Sequence, residues 1–117
     1  MAAPNIVNVT TIIGKTAVLA VGTSAGAIVS NSAGSGKVLK VNLVTVANVD
    51  GTNNSAVTAD LYRSSVPYRL ASTVTVPADA ALVLMDRVLY LEEGDSLRLT
   101  ASTSGDLEAI CSYEEIS

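Results

Sequence analysis

Alternation of apolar and polar residues, interrupted by turn residues at roughly 8–12-residue spacing, constrains this 117-residue chain more than any other feature. Period-two alternation puts successive side chains on opposite faces of a strand, so one face can be buried while the other meets water. The clearest run is Lys37 to Val49. Leu39, Val41, Leu43, Thr45 and Ala47 share one face there, and Lys40, Asn42, Val44, Val46 and Asn48 share the other. The second set begins polar and turns apolar, so one end of this strand is expected to be covered on both faces.

The same reading extends along the chain. A first strand is expected over Ile6 to Ile13, closed by Gly14-Lys15, followed by Thr16 to Val21 and Ala25 to Ser30. Asn31 to Gly36 is a small-residue turn, and Asp50 to Ser55 is a second. Beyond it Val57, Ala59 and Leu61 alternate with Thr58, Asp60 and Tyr62. Ser64 to Pro67 turns the chain into Tyr68 to Val76, and Pro77-Ala78-Asp79 precedes Ala81 to Met85. Val88 to Leu91 leads through Glu92-Glu93-Gly94-Asp95 into Ser96 to Ala101, with Leu97 and Leu99 inward. Thr103 to Asp106 reverses into Leu107 to Tyr113. No segment combines helical caps with a 3.6-residue period. The expected fold is all-β: an antiparallel β-sandwich or jelly roll of about nine or ten short strands, with residues 6–117 as one domain behind an arm of residues 1–5. Leu39, Val41, Leu43, Leu61, Leu97 and Leu99 are its expected core.

Composition narrows the kind of core. The chain is 49% hydrophobic but has no Phe, no Trp and only four Tyr. Val, Ile and Thr favour the pleated surface of a sheet, and aliphatic groups suit a thin interior. An aromatic-lined ligand pocket is not expected. No run reaches the ~20 apolar residues of a membrane helix, and the first residues lack the basic and apolar regions of a secretory signal. With a single cysteine, Cys111, no intrachain disulfide can form, as expected of a chain folded in a reducing cytoplasm.

The sequence also excludes chemistry. Without histidine, Ser-His-Asp and Cys-His arrangements are impossible, and so are His-containing zinc sites. Lys15, Lys37 and Lys40 look solvated, whereas a catalytic lysine is usually desolvated. Gly34-Ser35-Gly36-Lys37 resembles the end of a phosphate loop, but Asn31 and Val38 stand where that motif needs glycine and Ser or Thr. Asp50 to Asn54 lacks the spacing of a calcium loop. Glu92, Glu93, Asp95, Glu114 and Glu115 read as a solvated rim, because no aromatic sugar platform accompanies them. Neither an enzyme nor a cofactor or metal site is expected. Nor is nucleic-acid binding, because the net charge is −4 and no basic cluster exists.

The stretch Val88-Leu89-Tyr90-Leu91-Glu92-Glu93-Gly94-Asp95-Ser96-Leu97-Arg98-Leu99-Thr100-Ala101, continuing to Ser112-Tyr113-Glu114-Glu115-Ile116, resembles small virion structural proteins of tailed bacteriophages, especially marine ones. The likeness extends to Gly36 to Val41 and Ala59 to Ser65, and so covers most of the chain. It implies a β-sandwich or jelly roll, many copies per particle and no catalytic residues. Within that family a capsid decoration (cement) protein, made in the host cytoplasm and carried on the virion, is the favoured expectation. Its partners would be the major capsid protein and other copies of itself, as a homo-oligomer such as a trimer. A tail, baseplate or neck component is the alternative within the class. A host-glycan-binding module is the alternative outside it, disfavoured by the lack of Trp and Phe.

Charge is distributed unevenly. Residues 1–49 hold three lysines and no acid, whereas residues 50–117 hold four arginines and eleven acids. Complementary potentials orient assembly, so the candidate interface joins the basic Lys37 and Lys40 of one copy to acidic residues such as Glu92 and Glu93 of the next. The arm Ala2, Ala3, Pro4 and Asn5 completes it. It has little bulk to anchor to its own core, and Pro4 offers no ladder donor.

Overall fold

The computed structural model describes residues 5, 8–85 and 87–117. Among them are nine strands and no helix: β1 (Ile12–Val21), β2 (Gly26–Ser30), β3 (Val38–Asn48), β4 (Ser55–Arg63), β5 (Val66–Val76), β6 (Ala81–Val83), β7 (Leu89–Leu91), β8 (Ser96–Ala101) and β9 (Leu107–Ile116). One sheet runs β1-β9-β3-β6, with β7 also paired to β3, and the other runs β2-β8-β4-β5. All pairings are antiparallel. The chain crosses between sheets at β1/β2, β2/β3, β3/β4, β5/β6, β7/β8 and β8/β9. This is jelly-roll connectivity, with β6 and β7 together filling one strand position.

Each inner face contributes aliphatic residues. Val21, Leu39, Val41, Val44, Val46, Leu91, Leu107, Ala109 and Cys111 from the first sheet meet Val29, Val57, Ala59, Val76, Leu97, Leu99 and Ala101 from the second. Burying a Leu or Val side chain contributes about 1.5–3 kcal/mol, so alternation along β8 and the first half of β9 is well rewarded. Cys111 packs as a small apolar residue, and burial pushes its thiol pKa up to about 11.

Turn residues act as their chemistry requires. Ser64 and Ser65 have φ of 51° and 62° between β4 and β5. Positive φ at both central positions matches the right-handed twist of a two-residue hairpin. The edge strand β5 carries two irregularities against β4, one beside Thr73 (φ 51°). Such bulges bend an edge away from further pairing.

Two expectations fail. Gly14-Lys15 does not close a strand: Gly14 pairs with Glu114 and Lys15 with Tyr113, so β1 runs unbroken from Ile12. Ile6 and Val7 lie outside the described residues, and residues 8–11 are not in a strand. The ten-residue β9 supplies partners straight through the glycine. Leu43, expected inward, is 41% exposed. Two residues of β3, Asn42 and Leu43, lie opposite Ser112 alone between the Val41–Tyr113 and Val44–Cys111 pairs. The added residue is a bulge, and it moves every later side chain to the other face. Val44, Val46 and Asn48 therefore point inward. Coverage of both faces is not the reason for the late apolar residues on that side.

Candidate assembly surfaces

The charged residues expected at an interface find other partners within their own chain. β3 and β9 run antiparallel, which sets Lys40 beside Glu114 and brings Lys37 near Glu115. Lys37 Nζ donates to Glu115 Oε1 at 2.9 Å, Lys15 Nζ donates to Glu115 Oε2 at 3.1 Å, and Lys40 Nζ lies 3.6 Å from Glu114. The Lys37 and Lys15 ammonium groups hold the Glu115 carboxyl below the usual glutamate range. Glu93 accepts the Gly36 backbone N–H at 2.9 Å, while Glu92 pairs with Arg63 at 2.8 Å. Each of Lys37, Lys40, Glu92 and Glu93 thus has an intrachain partner. Ala2, Ala3 and Pro4 lie outside the described residues. Asn5 is exposed, and its carbonyl accepts the Asn8 N–H.

Buried polar hubs lock the loops at this end, among them Asp95, which was expected on a solvated rim but is 1% exposed because Arg63 pairs with it. Asn31 is 3% exposed and donates through its side chain to the carbonyls of Lys37 and Leu91. Its backbone exchanges hydrogen bonds with Gly94 and Asp95. Asp95 accepts two hydrogen bonds from Arg63 and one from the Glu92 N–H, and the guanidinium holds its carboxyl below the usual aspartate range. On the outer face of the second sheet, Arg98 donates to buried Asp60 at 2.9 Å and lies 3.8 Å over the Tyr62 ring. At the far end, burial and then the neighbouring Asp50 raise the Asp106 carboxyl, whose Oδ2 is buried without a hydrogen-bond partner. Sequence signals for these pairs are weak, because partners such as Asp60 and Arg98 stand 38 positions apart.

The outer face of the first sheet differs. Register aligns Val18, Ile110, Thr45 and Val83 in one row across β1, β9, β3 and β6. Val18 is 74% exposed, Val83 58% and Ile110 52%. The next row is Ala20, Glu108, Ala47 and Ala81. Between the rows runs a shallow groove of about 370 Å³ lined by Val18, Leu19, Ala20, Ala47, Glu108, Ala109 and Ile110. It has no aromatic wall and, among the described residues, no group of acids, cysteines or histidines able to hold a metal ion. It consists of small and branched aliphatic groups around one carboxylate.

No protein-family model matches the chain, and no curated protein does. Among solved structures, it is similar to a chain from the acidic stable capsid structure of Helicobacter pylori bacteriophage KHP30. The TM-score is 0.52 at 8% identity, over 94% of this chain and 90% of that one. At that identity the likeness is one of fold: this jelly-roll sandwich is an architecture also found in a phage capsid.

Proposed function

We propose that this chain is a virion structural protein of a tailed bacteriophage, carried on the head in many copies as a decoration protein and acting without side-chain catalysis. The observation that supports it most is the end-to-end fold likeness to a chain of a phage capsid structure, nine-tenths of each chain taking part. Physical chemistry agrees. The interior is filled by its own aliphatic side chains, so binding must use the outside, and the outer face of the first sheet exposes Val18, Val83 and Ile110 in one row, a surface suited to a protein neighbour. The resemblance of Val88 to Ala101 and Ser112 to Ile116 to small virion proteins points the same way.

The test is quantitative mass spectrometry of purified virions of the encoding phage. The expected result is a copy number comparable with that of the major capsid protein. Low copy number confined to detached tails would make it a tail or neck component instead. Absence from purified particles would overturn the reading.

A further inference from the structure

Charge pairing singles out where this chain is unfinished. Of its seven cationic side chains, Lys15, Lys37, Lys40, Arg63 and Arg98 each meet a carboxylate of their own chain. Arg69 and Arg87 meet none among the described residues (Asp86 lies outside them). Glu108 likewise has neither an ion pair nor a hydrogen bond, although it stands among alanines and valines in the groove on the outer face of the first sheet. Isolated in an apolar surface, a carboxylate is poorly served when that surface is covered, unless the covering group brings a cation.

Such a group exists on the chain itself. At the open edge of the sandwich, the segment after β6 packs beside β5. Leu70, Leu84, Arg87 and Val88 line a shallow depression there. Leu70 is 40% exposed and Val88 44%. This is an apolar lip carrying one guanidinium without a carboxylate among the described residues, the counterpart of an apolar groove whose one carboxylate has no cation among them. No residue lines both surfaces.

We propose that groove and lip bind each other between copies: Leu70 and Val88 of a second copy enter the groove beside Val18 and Ile110, and Arg87 of that copy pairs with Glu108. Two different surfaces are joined, so the contact is head-to-tail and closes into a ring when its rotation permits. Covering the groove desolvates the pair, which makes it a determinant of register and partner choice. The inference rests on the expectation of a homo-oligomer, not on where a particle would carry the chain.

Sedimentation equilibrium on the purified chain tests it, with Glu108→Arg, Arg87→Glu and Arg69→Glu as variants. Arg69 lies opposite Asp60 on the second sheet, so its variant makes the same charge change as Arg87→Glu at another place. Wild type should associate reversibly, and Glu108→Arg and Arg87→Glu should each weaken association at least about tenfold while keeping the melting temperature that wild type has when dilute and monomeric. Arg69→Glu should stay within about twofold, as expected of a charge outside the contact. Mixing the Glu108→Arg and Arg87→Glu proteins should restore association, because each contact between unlike variants then joins opposite charges. A wild-type monomer up to about 1 mM would overturn the proposal. So would a mixture that stays dissociated, or an Arg69→Glu effect equal to that of Arg87→Glu. Self-association in a chain missing from purified virions would keep this inference and remove the particle role.

Discussion

The two halves of β3 have opposite fates although their sequences look alike. Leu39 and Leu43 stand four residues apart on one strand, a spacing that puts both on the same face of a regular ladder. Leu39 is 4% exposed in the core, whereas Leu43 is 41% exposed on the outside. The added residue at Asn42-Leu43 separates them. Before it, the outward side chains are Lys40 and Asn42, close to Glu114. After it, they are Leu43, Thr45 and Ala47, continuous with Val18, Ile110 and Val83. One bulge thus divides the outer face of the first sheet into a charged zone that satisfies itself and an apolar zone that does not.

The largest effect expected from this comparison is a contrast of deletions. Removing Asn42 leaves Val41 inward, Leu43 outward and Val44 inward, a regular ladder, so the variant should fold. Removing Thr45 turns Val46 and Asn48 outward and takes the Asn48 amide away from the carbonyls of Asn53 and Val76. A loss comparable with the whole stability of a small domain, about 5–15 kcal/mol, is expected. Circular dichroism and urea unfolding of both deletions would show one folded and one unfolded chain. Two folded chains would mean that the bulge does not set the register.

Next in size is the leucine pair itself. Leu39→Ala should cost about 2–5 kcal/mol, as buried leucines do, and Leu43→Ala about 0.5 kcal/mol or less. Denaturant midpoints with unchanged slopes would measure both.

That contrast also marks how far the sequence was legible. β4, β8 and their turns follow from alternation and turn chemistry, because nothing interrupts their period of two and Leu97 and Leu99 face inward as their spacing demands. The bulge left no trace, since Leu43, Val44, Thr45 and Val46 read equally well on either face. The unbroken β1 was hidden by Gly14, which reads as a turn unless the ten-residue partner β9 is known. The skew in charge was visible, but its use was not. Which lysine meets which carboxylate depends on the antiparallel β3–β9 register, and that register sets Glu108 among alanines with no ion pair among the described residues.

A smaller effect distinguishes the two ends of the β3–β9 ladder by pH. Glu115, beside the first half, has its pKa lowered by Lys37 and Lys15, so its stabilisation is present above the unfolded-state value and is lost as pH falls through the folded one. Asp106, just before β9, has its pKa raised by burial and by Asp50. Its ionised form therefore costs stability above the folded pKa, and that cost disappears as pH falls below the unfolded value. Glu115→Gln should melt below wild type at pH 7 and equal it well below pH ~4, near the ordinary carboxylate values. Asp106→Asn should melt above wild type at pH 7 and converge with it in acid. Shifts of a few degrees at most are expected for groups near the surface. Calorimetry across that range checks the signs, and equal signs for the two variants would contradict the assignment.

The central claim is that assembly uses the apolar zone of the first sheet while the charged zone stays paired within the chain. A side-chain-resolution cryo-EM reconstruction of the particle tests it most directly. The account predicts Val18, Ile110 and Val83 covered by a neighbouring protein, with Glu108 facing a cation. Lys37 and Lys40 should remain on Glu115 and Glu114 of their own chain. A particle in which Val18, Ile110 and Val83 face solvent, while Lys37 and Lys40 reach a neighbour, would contradict it.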